Sequence, residues 1–260
     1  MLRSVIALAV ALGAAGTARA AVVTKTVEYE FDGVKLKGFA AYDDAAKEKC
    51  PGVLVVHEWW GLDEYAKGRC KQLAELGYVA FAPDMYGNGA VTEHPMDAKK
   101  MADLTRANVK VWRGRAAAGL KQLKALPNVD GDKLAAIGYC FGGSTCLQLA
   151  YSGADLKAVA TFHAALPRPT AEEAKAIKAK LLICHGEADK FIPGDAIKAF
   201  RDALGAAQVK YDFVAYKGVV HSFTVPGADK HMIDGMKYDK AADADSWKKT
   251  LALFKEALGR

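Results

Sequence analysis

The 260-residue chain reads as a single α/β domain: a mostly parallel central sheet with helices on both faces. Three observations predict this. Short runs such as 53–56 and 134–137 are apolar without alternation, as strands buried on both faces must be. Stretches of helical period separate them. No linker rich in Pro, Gly or Ser, no repeat and no low-complexity block divides the chain, whose length suits one large core.

The elements follow in order. Residues 22–31 and 34–42 alternate around Asp32-Gly33 and form a hairpin. An apolar strand at 53–56 leads to a helix over 63–76, closed by Gly77. A strand at 78–82 stops at Pro83. Met101, Leu104, Val111, Leu120 and Leu123 give 97–125 a helical period that ends before Pro127. A strand at 134–137 and a helix at 143–151 flank a glycine-rich turn. Strands at 157–162, 180–184 and 209–216 alternate with helices at 171–178 and 195–204, and 247–258 is a closing helix.

The N-terminus has a different character. Met1-Leu2-Arg3, an apolar run over 5–15 and Ala18-Arg19-Ala20 make a secretory signal peptide over residues 1–20. The run is too short to span a bilayer as a mature helix. Export to the periplasm or outside the cell is expected, with the α/β domain over 21–260 and no membrane attachment after cleavage. Net charge is +6, and removing Arg3 and Arg19 lowers it to about +4. The excess is mild and spread out, so no nucleic-acid partner is expected, and the lysines at 99, 100, 248 and 249 read as solvated helix faces.

Of the five cysteines, Cys146 and Cys184 read as small core residues. Cys50 and Cys70 flank one strand–loop–helix unit and are able to bridge if their Cα atoms come within about 7 Å. Cys140 is different. Gly138-Tyr139-Cys140-Phe141-Gly142-Gly143 follows a strand and precedes a helix, the arrangement of a nucleophile elbow with a thiol at its apex. The flanking glycines admit strained angles and close chain approach. The helix N-terminus favours thiolate.

A nucleophile needs a base and an acid. On folds with such an elbow they follow in the order nucleophile, acid, histidine, in loops at strand C-terminal ends. His221 fits the base and Asp189 its orienting acid, with Glu187 as the alternative. His57, His163 and His185 end other strands and line or buttress the pocket. The oxyanion donors expected are the backbone N–H groups of Phe141 and Trp59, at about 3 kcal/mol each. Trp60, Tyr86, Ser222 and Phe223 complete the expected substrate pocket.

Val55-Val56-His57-Glu58-Trp59-Trp60-Gly61, Pro83-Asp84-Met85-Tyr86-Gly87, the cysteine elbow, Gly186-Glu187-Ala188-Asp189 and His221-Ser222-Phe223 together resemble the dienelactone hydrolase (carboxymethylenebutenolidase) family, from about residue 25 onward. The resemblance implies an α/β-hydrolase fold, hydrolysis of a lactone or small ester, and no metal or organic cofactor. It also implies that Glu58 gates the thiol, holding it at rest until substrate displaces the carboxyl. A carboxylate beside a thiolate disfavours the charged sulfur. One departure stands out: the family's substrate-binding arginine, four residues after the catalytic histidine, is Val225 here. Arg106, Arg113 and Arg115 follow the fourth strand out of clear register with the family's second arginine. A monomeric enzyme acting on a small lactone or ester is expected. The competing readings are a thioesterase or other acyl hydrolase, such as a peptidase, and a non-catalytic exported binding protein on the same fold.

Overall fold

The computed structural model describes residues 22–260; the signal peptide expected over 1–20 lies outside the described residues. The hairpin forms as β1 (Val22–Phe31) and β2 (Val34–Asp43). It is followed by β3 (Cys50–Val56), α1 (Glu64–Glu75), β4 (Val79–Ala82), α2 (Pro95–Ala107), α3 (Val109–Lys124), β5 (Val129–Tyr139) and α4 (Phe141–Tyr151). Then come β6 (Ala158–Phe162), α5 (Ala171–Ala176), β7 (Lys180–Gly186), α6 (Gly194–Ala206), β8 (Tyr211–Tyr216) and α7 (Lys240–Leu258). The eight strands make one sheet in the order β1-β2-β4-β3-β5-β6-β7-β8. β1 pairs antiparallel with β2 and β2 with β4; the remaining pairs are parallel.

The apolar strands are buried from both sides, as their composition requires. On β3, Leu54 and Val56 face the core under α3, α4 and α6, whereas Val53 and Val55 face the core under α1 and α7. β5 alternates likewise, Leu134 and Ala136 on one side, Ala135 and Ile137 on the other. Period 2 along a strand hides here beneath a uniformly apolar run.

Two expectations need correction, and one open pairing is answered. The helical stretch at 97–125 is two helices. Asn108 breaks it, its Oδ1 accepting from the Val111 N–H at 3.2 Å, so the residue caps α3 instead of continuing α2. The closing helix begins at Lys240, where Asp239 caps it by accepting from the Ala242 N–H at 2.9 Å. Cys50 and Cys70 are both buried free thiols, so no bridge joins β3 to α1. Among the described residues, no helix is long and apolar enough to cross a membrane.

Candidate active site

The site forms at the C-terminal ends of β3, β5, β6 and β7 and in the loop after β8. At the end of β5 the chain reverses at Cys140, which has φ 51° and ψ −114°. A positive φ at a residue with a Cβ costs about 1–3 kcal/mol and persists only where neighbours enforce it. They do so here. Cys140 N–H donates to Phe162 O at 3.0 Å, and its own carbonyl accepts from Gly143 N–H at 3.1 Å. A Cβ at Gly142 would collide with the Val56 carbonyl of the adjacent strand, and one at Gly138 with the Gly142 backbone. The glycines thus let α4 start directly against the sheet, with the half-buried thiol at its positive end.

The His221 loop is pinned by main-chain bonds. His221 N–H donates to Gly235 O at 3.0 Å, and its carbonyl accepts from Lys237 N–H at 3.1 Å. Its ring Nδ1 lies 2.7 Å from Asp189 Oδ2. The other Asp189 oxygen accepts the Phe191 N–H at 2.9 Å. Glu187, the alternative acid, points to solvent. Burial opposes charge on His221, but Cys140 and the hydrogen bonds to Asp189 and Cys140 outweigh it, pushing the imidazole up to about 10. A histidine between a thiol and an organised carboxylate accepts a proton readily and holds it as an imidazolium.

The N–H groups of Phe141 and Trp59 donate to no protein acceptor among the described residues. Phe141 heads α4, where unsatisfied donors are expected. Trp59 is held by its carbonyl, which accepts from Tyr86 Oη at 3.0 Å. His57 braces the same loop from behind, its Nε2 accepting the Met85 N–H at 3.3 Å. A cavity of about 530 Å³ opens over Cys140 and His221. Trp59, Phe191, Ile192 and Met236 supply apolar wall, and Arg106 stands at the rim with its guanidinium 5.3 Å over the Phe141 ring.

Sequence-predicted pocket residues divide. Cys140, His221 and Trp59 line the cavity. Phe223 does not. It is fully buried in the core beneath α7, because Ser222 turns the chain at φ 53° and sends the next side chain inward. Trp60 also turns away, stacking on His231 with ring centroids 4.0 Å apart. Tyr86 serves the Trp59 carbonyl. Ser222 is buried, its Oγ donating to Glu58 Oε1 at 3.0 Å. Glu58 itself has no hydrogen bond to the thiol in this arrangement, and Cys140 borders the cavity with His221 instead. Burial raises the Glu58 carboxyl to about 7, against the opposing pull of His221 and hydrogen bonds from Ser222 and Trp60.

The sequence reading missed the cations of the rim. Lys99, Asp103 and Arg106 follow i, i+4, i+7 spacing along one face of α2, and that face borders the cavity. Lys99 is exposed, as a solvated helix face requires, and pairs with Asp103 at the rim. Arg106 lies 3.6 Å from Asp103. Arg113 is committed to Gln148 and Glu173, and Arg115 to the Met85 and Tyr86 carbonyls. Among the described residues, no cluster of three His, Cys, Asp or Glu side chains is placed to hold a metal ion.

Known proteins share this architecture. The model of the Dienelactone hydrolase family matches residues 36–258. The protein usf of Aquifex pyrophilus is 31% identical over 236 residues, which is 89% of this chain and 98% of that protein. A dienelactone hydrolase-like promiscuous phosphotriesterase from metagenomic libraries superposes with a TM-score of 0.88 at 38% identity, covering 91% of this chain and 98% of its own. The structure named m3DLH gives 0.89 at 37% identity, covering 92% and 99%. Matched over nearly all its described length, the chain belongs to the dienelactone hydrolase family and is a hydrolase built on the α/β-hydrolase fold.

Proposed function

We propose that the protein cleaves a lactone or small carboxylic ester through an acyl-enzyme on Cys140, with His221 as base and Asp189 as its orienter. The observation that carries this is the strained cysteine at the head of α4, lining one open cavity with a histidine whose ring Nδ1 meets a carboxylate at 2.7 Å. The Cys140 sulfur attacks the carbonyl carbon as its proton passes to His221. The N–H groups of Phe141 and Trp59 receive the oxyanion. The C–O bond breaks, the alkoxide takes the proton from His221, and a thioester remains. Water then attacks the thioester, gives a proton to His221 and releases acid and thiol.

Arg106 favours a substrate with an anionic group near the rim, the part that Val225 does not play. The apolar wall also suits a neutral substrate such as a phosphotriester, the activity in the name of the 38% identical relative. An unpaired thiol at an elbow serves no purpose in a binding module. The enzyme is exported after removal of residues 1–20 and acts as a monomer without metal or cofactor.

The test is turnover of cis-dienelactone, a neutral lactone, p-nitrophenyl acetate and a phosphotriester by the wild type and Cys140→Ala. Loss of every activity in the variant supports the reading. Ester or lactone turnover within a few-fold of wild type contradicts it. Preference for the dienelactone assigns the rim cation to substrate binding, and preference for the neutral compounds assigns it elsewhere.

A further inference from the structure

Behind Glu58, away from the cavity, lies a run of buried polar groups that the acyl-transfer steps do not use. It begins at Arg69 on α1, which pairs with Asp243 at 2.5 Å and packs over the Tyr65, Tyr139 and Trp247 rings. Arg69 Nε–H donates to Tyr65 Oη at 3.2 Å. Tyr65 O–H donates to Thr224 Oγ1 at 2.8 Å. Thr224 Oγ1 lies 2.9 Å from His163 Nε2. His163 Nδ1 lies 3.6 Å from Glu58 Oε1. Thr224 and His163 are fully buried.

Donor inventory gives this run a direction. A guanidinium only donates, so Tyr65 accepts from Arg69 and sends its single proton to Thr224. Thr224 then has one proton of its own, and His163 Nε2 is the acceptor within reach. Were Nε2 protonated instead, the Thr224 oxygen would receive two donors and its own proton would have no partner. His163 is kept neutral by burial and by the charge of His221, so it carries one N–H, and that N–H is on Nδ1. Nδ1 makes no hydrogen bond, and Glu58 is the acceptor it faces. The residue holds this pose at φ 40°, with its main-chain N–H donating to Cys184 O at 2.9 Å. At 3.6 Å the contact is too long for a hydrogen bond, and closing it takes a carboxyl movement of under ~1 Å.

We propose that His163 is a positioning residue for Glu58: its Nδ1–H, fixed by the directed run from Arg69, is a second seat that the Glu58 carboxyl takes when it leaves Ser222. The seat lets the acid move without becoming an unpaired buried group. Its bearing on turnover rests on the acyl-transfer reading; the tautomer and the Glu58 contact do not. The other groups facing Glu58 are Ser222 by hydrogen bond, Trp60, and His221 and Asp63 by charge.

Nitrogen-15 histidine NMR of the protein, with His163 assigned by its loss in His163→Asn, reads the tautomer directly. A neutral ring with its proton on Nδ1 at about neutral pH is expected; a proton on Nε2, or an imidazolium, overturns the proposal. Carbon-13 labelling of glutamate carboxyls, with Glu58 assigned by Glu58→Gln, reads the acid. His163→Asn keeps an amide N–H near the Nδ1 position and tolerates positive φ. His163→Gln places its amide on the Thr224 side and leaves Glu58 without the donor. A donor favours the carboxylate, so the Glu58 midpoint should rise by about 0.5 pH unit or more in His163→Gln and stay near wild type in His163→Asn. Equal shifts in both variants, or none in either, would overturn the proposal. Neither readout uses turnover, so failure of the acyl-transfer reading shows separately.

Discussion

Two histidines pack edge against face with ring centroids 5.1 Å apart, each facing a carboxyl group, and their proton affinities move in opposite directions. His221 meets Asp189 at 2.7 Å, contacts the thiol and is pushed up to about 10. His163 faces Glu58 at 3.6 Å, shares no hydrogen bond with it and is pushed well below the usual histidine range. Burial acts against charge on both, so burial does not separate them. Contact does. Asp189 is held by the Phe191 N–H and bonds the ring directly, whereas Glu58 is engaged by Ser222 and Trp60, with its own proton affinity raised. A carboxyl near an imidazole makes a base only when its charge is committed to that ring.

The comparison breaks hardest on the His221 side. Cys140→Ala should lower kcat/KM for an activated ester by about 10⁴-fold or more, since residues acting as one nucleophilic unit fail together; steady-state kinetics at fixed pH checks it, and a few-fold loss would contradict it. Asp189→Asn should cost about 10³-fold in kcat with KM little changed, because the ring loses both its orientation and the charge that holds the imidazolium. A loss confined to KM would move Asp189 out of that role.

On the other side the expected effect is on stability. Glu58 in the folded protein binds its proton more tightly than an ordinary carboxyl, at about 7 against 4.5. The ionisation-linked cost of burying it is therefore absent below the unfolded value, grows as pH rises from about 4.5 and levels off above about 7. Glu58→Gln cannot ionise, so its stability relative to wild type should rise by up to about 3 kcal/mol between roughly pH 4 and pH 8. Urea unfolding across that range measures this, and a difference independent of pH would contradict it. The smallest effect belongs to the rim. Arg106→Gln should raise KM about tenfold for a carboxylate-bearing ester and leave a neutral ester unchanged. Equal changes for both substrates would remove Arg106 from anion recognition.

Much of this was legible in the chain itself. The elbow and the order Cys140, Asp189, His221 are local patterns attached to strand ends, and strand ends are where a parallel sheet gathers its loops. What stayed hidden depends on side-chain direction within loops. Trp59 and Trp60 are neighbours, yet one lines the cavity and the other stacks on His231. Ser222 and Phe223 part ways because of one positive φ, which no periodicity announces. Arg106 was obscured by treating two helices as one: without the Asn108 break the face of α2 cannot be registered against the pocket. The spacing of Lys99, Asp103 and Arg106 was the available signal, and it resembles any solvated face until the opposing wall is known.

The central claim is that Cys140 becomes acylated during turnover. Rapid quenching of the enzyme with p-nitrophenyl acetate, followed by intact-mass and peptide analysis, tests it directly. The account predicts a single acetyl group on the peptide carrying Cys140, formed within the burst of nitrophenol release and absent in Cys140→Ala. An acetyl group on another residue, or undiminished turnover by Cys140→Ala, would contradict it.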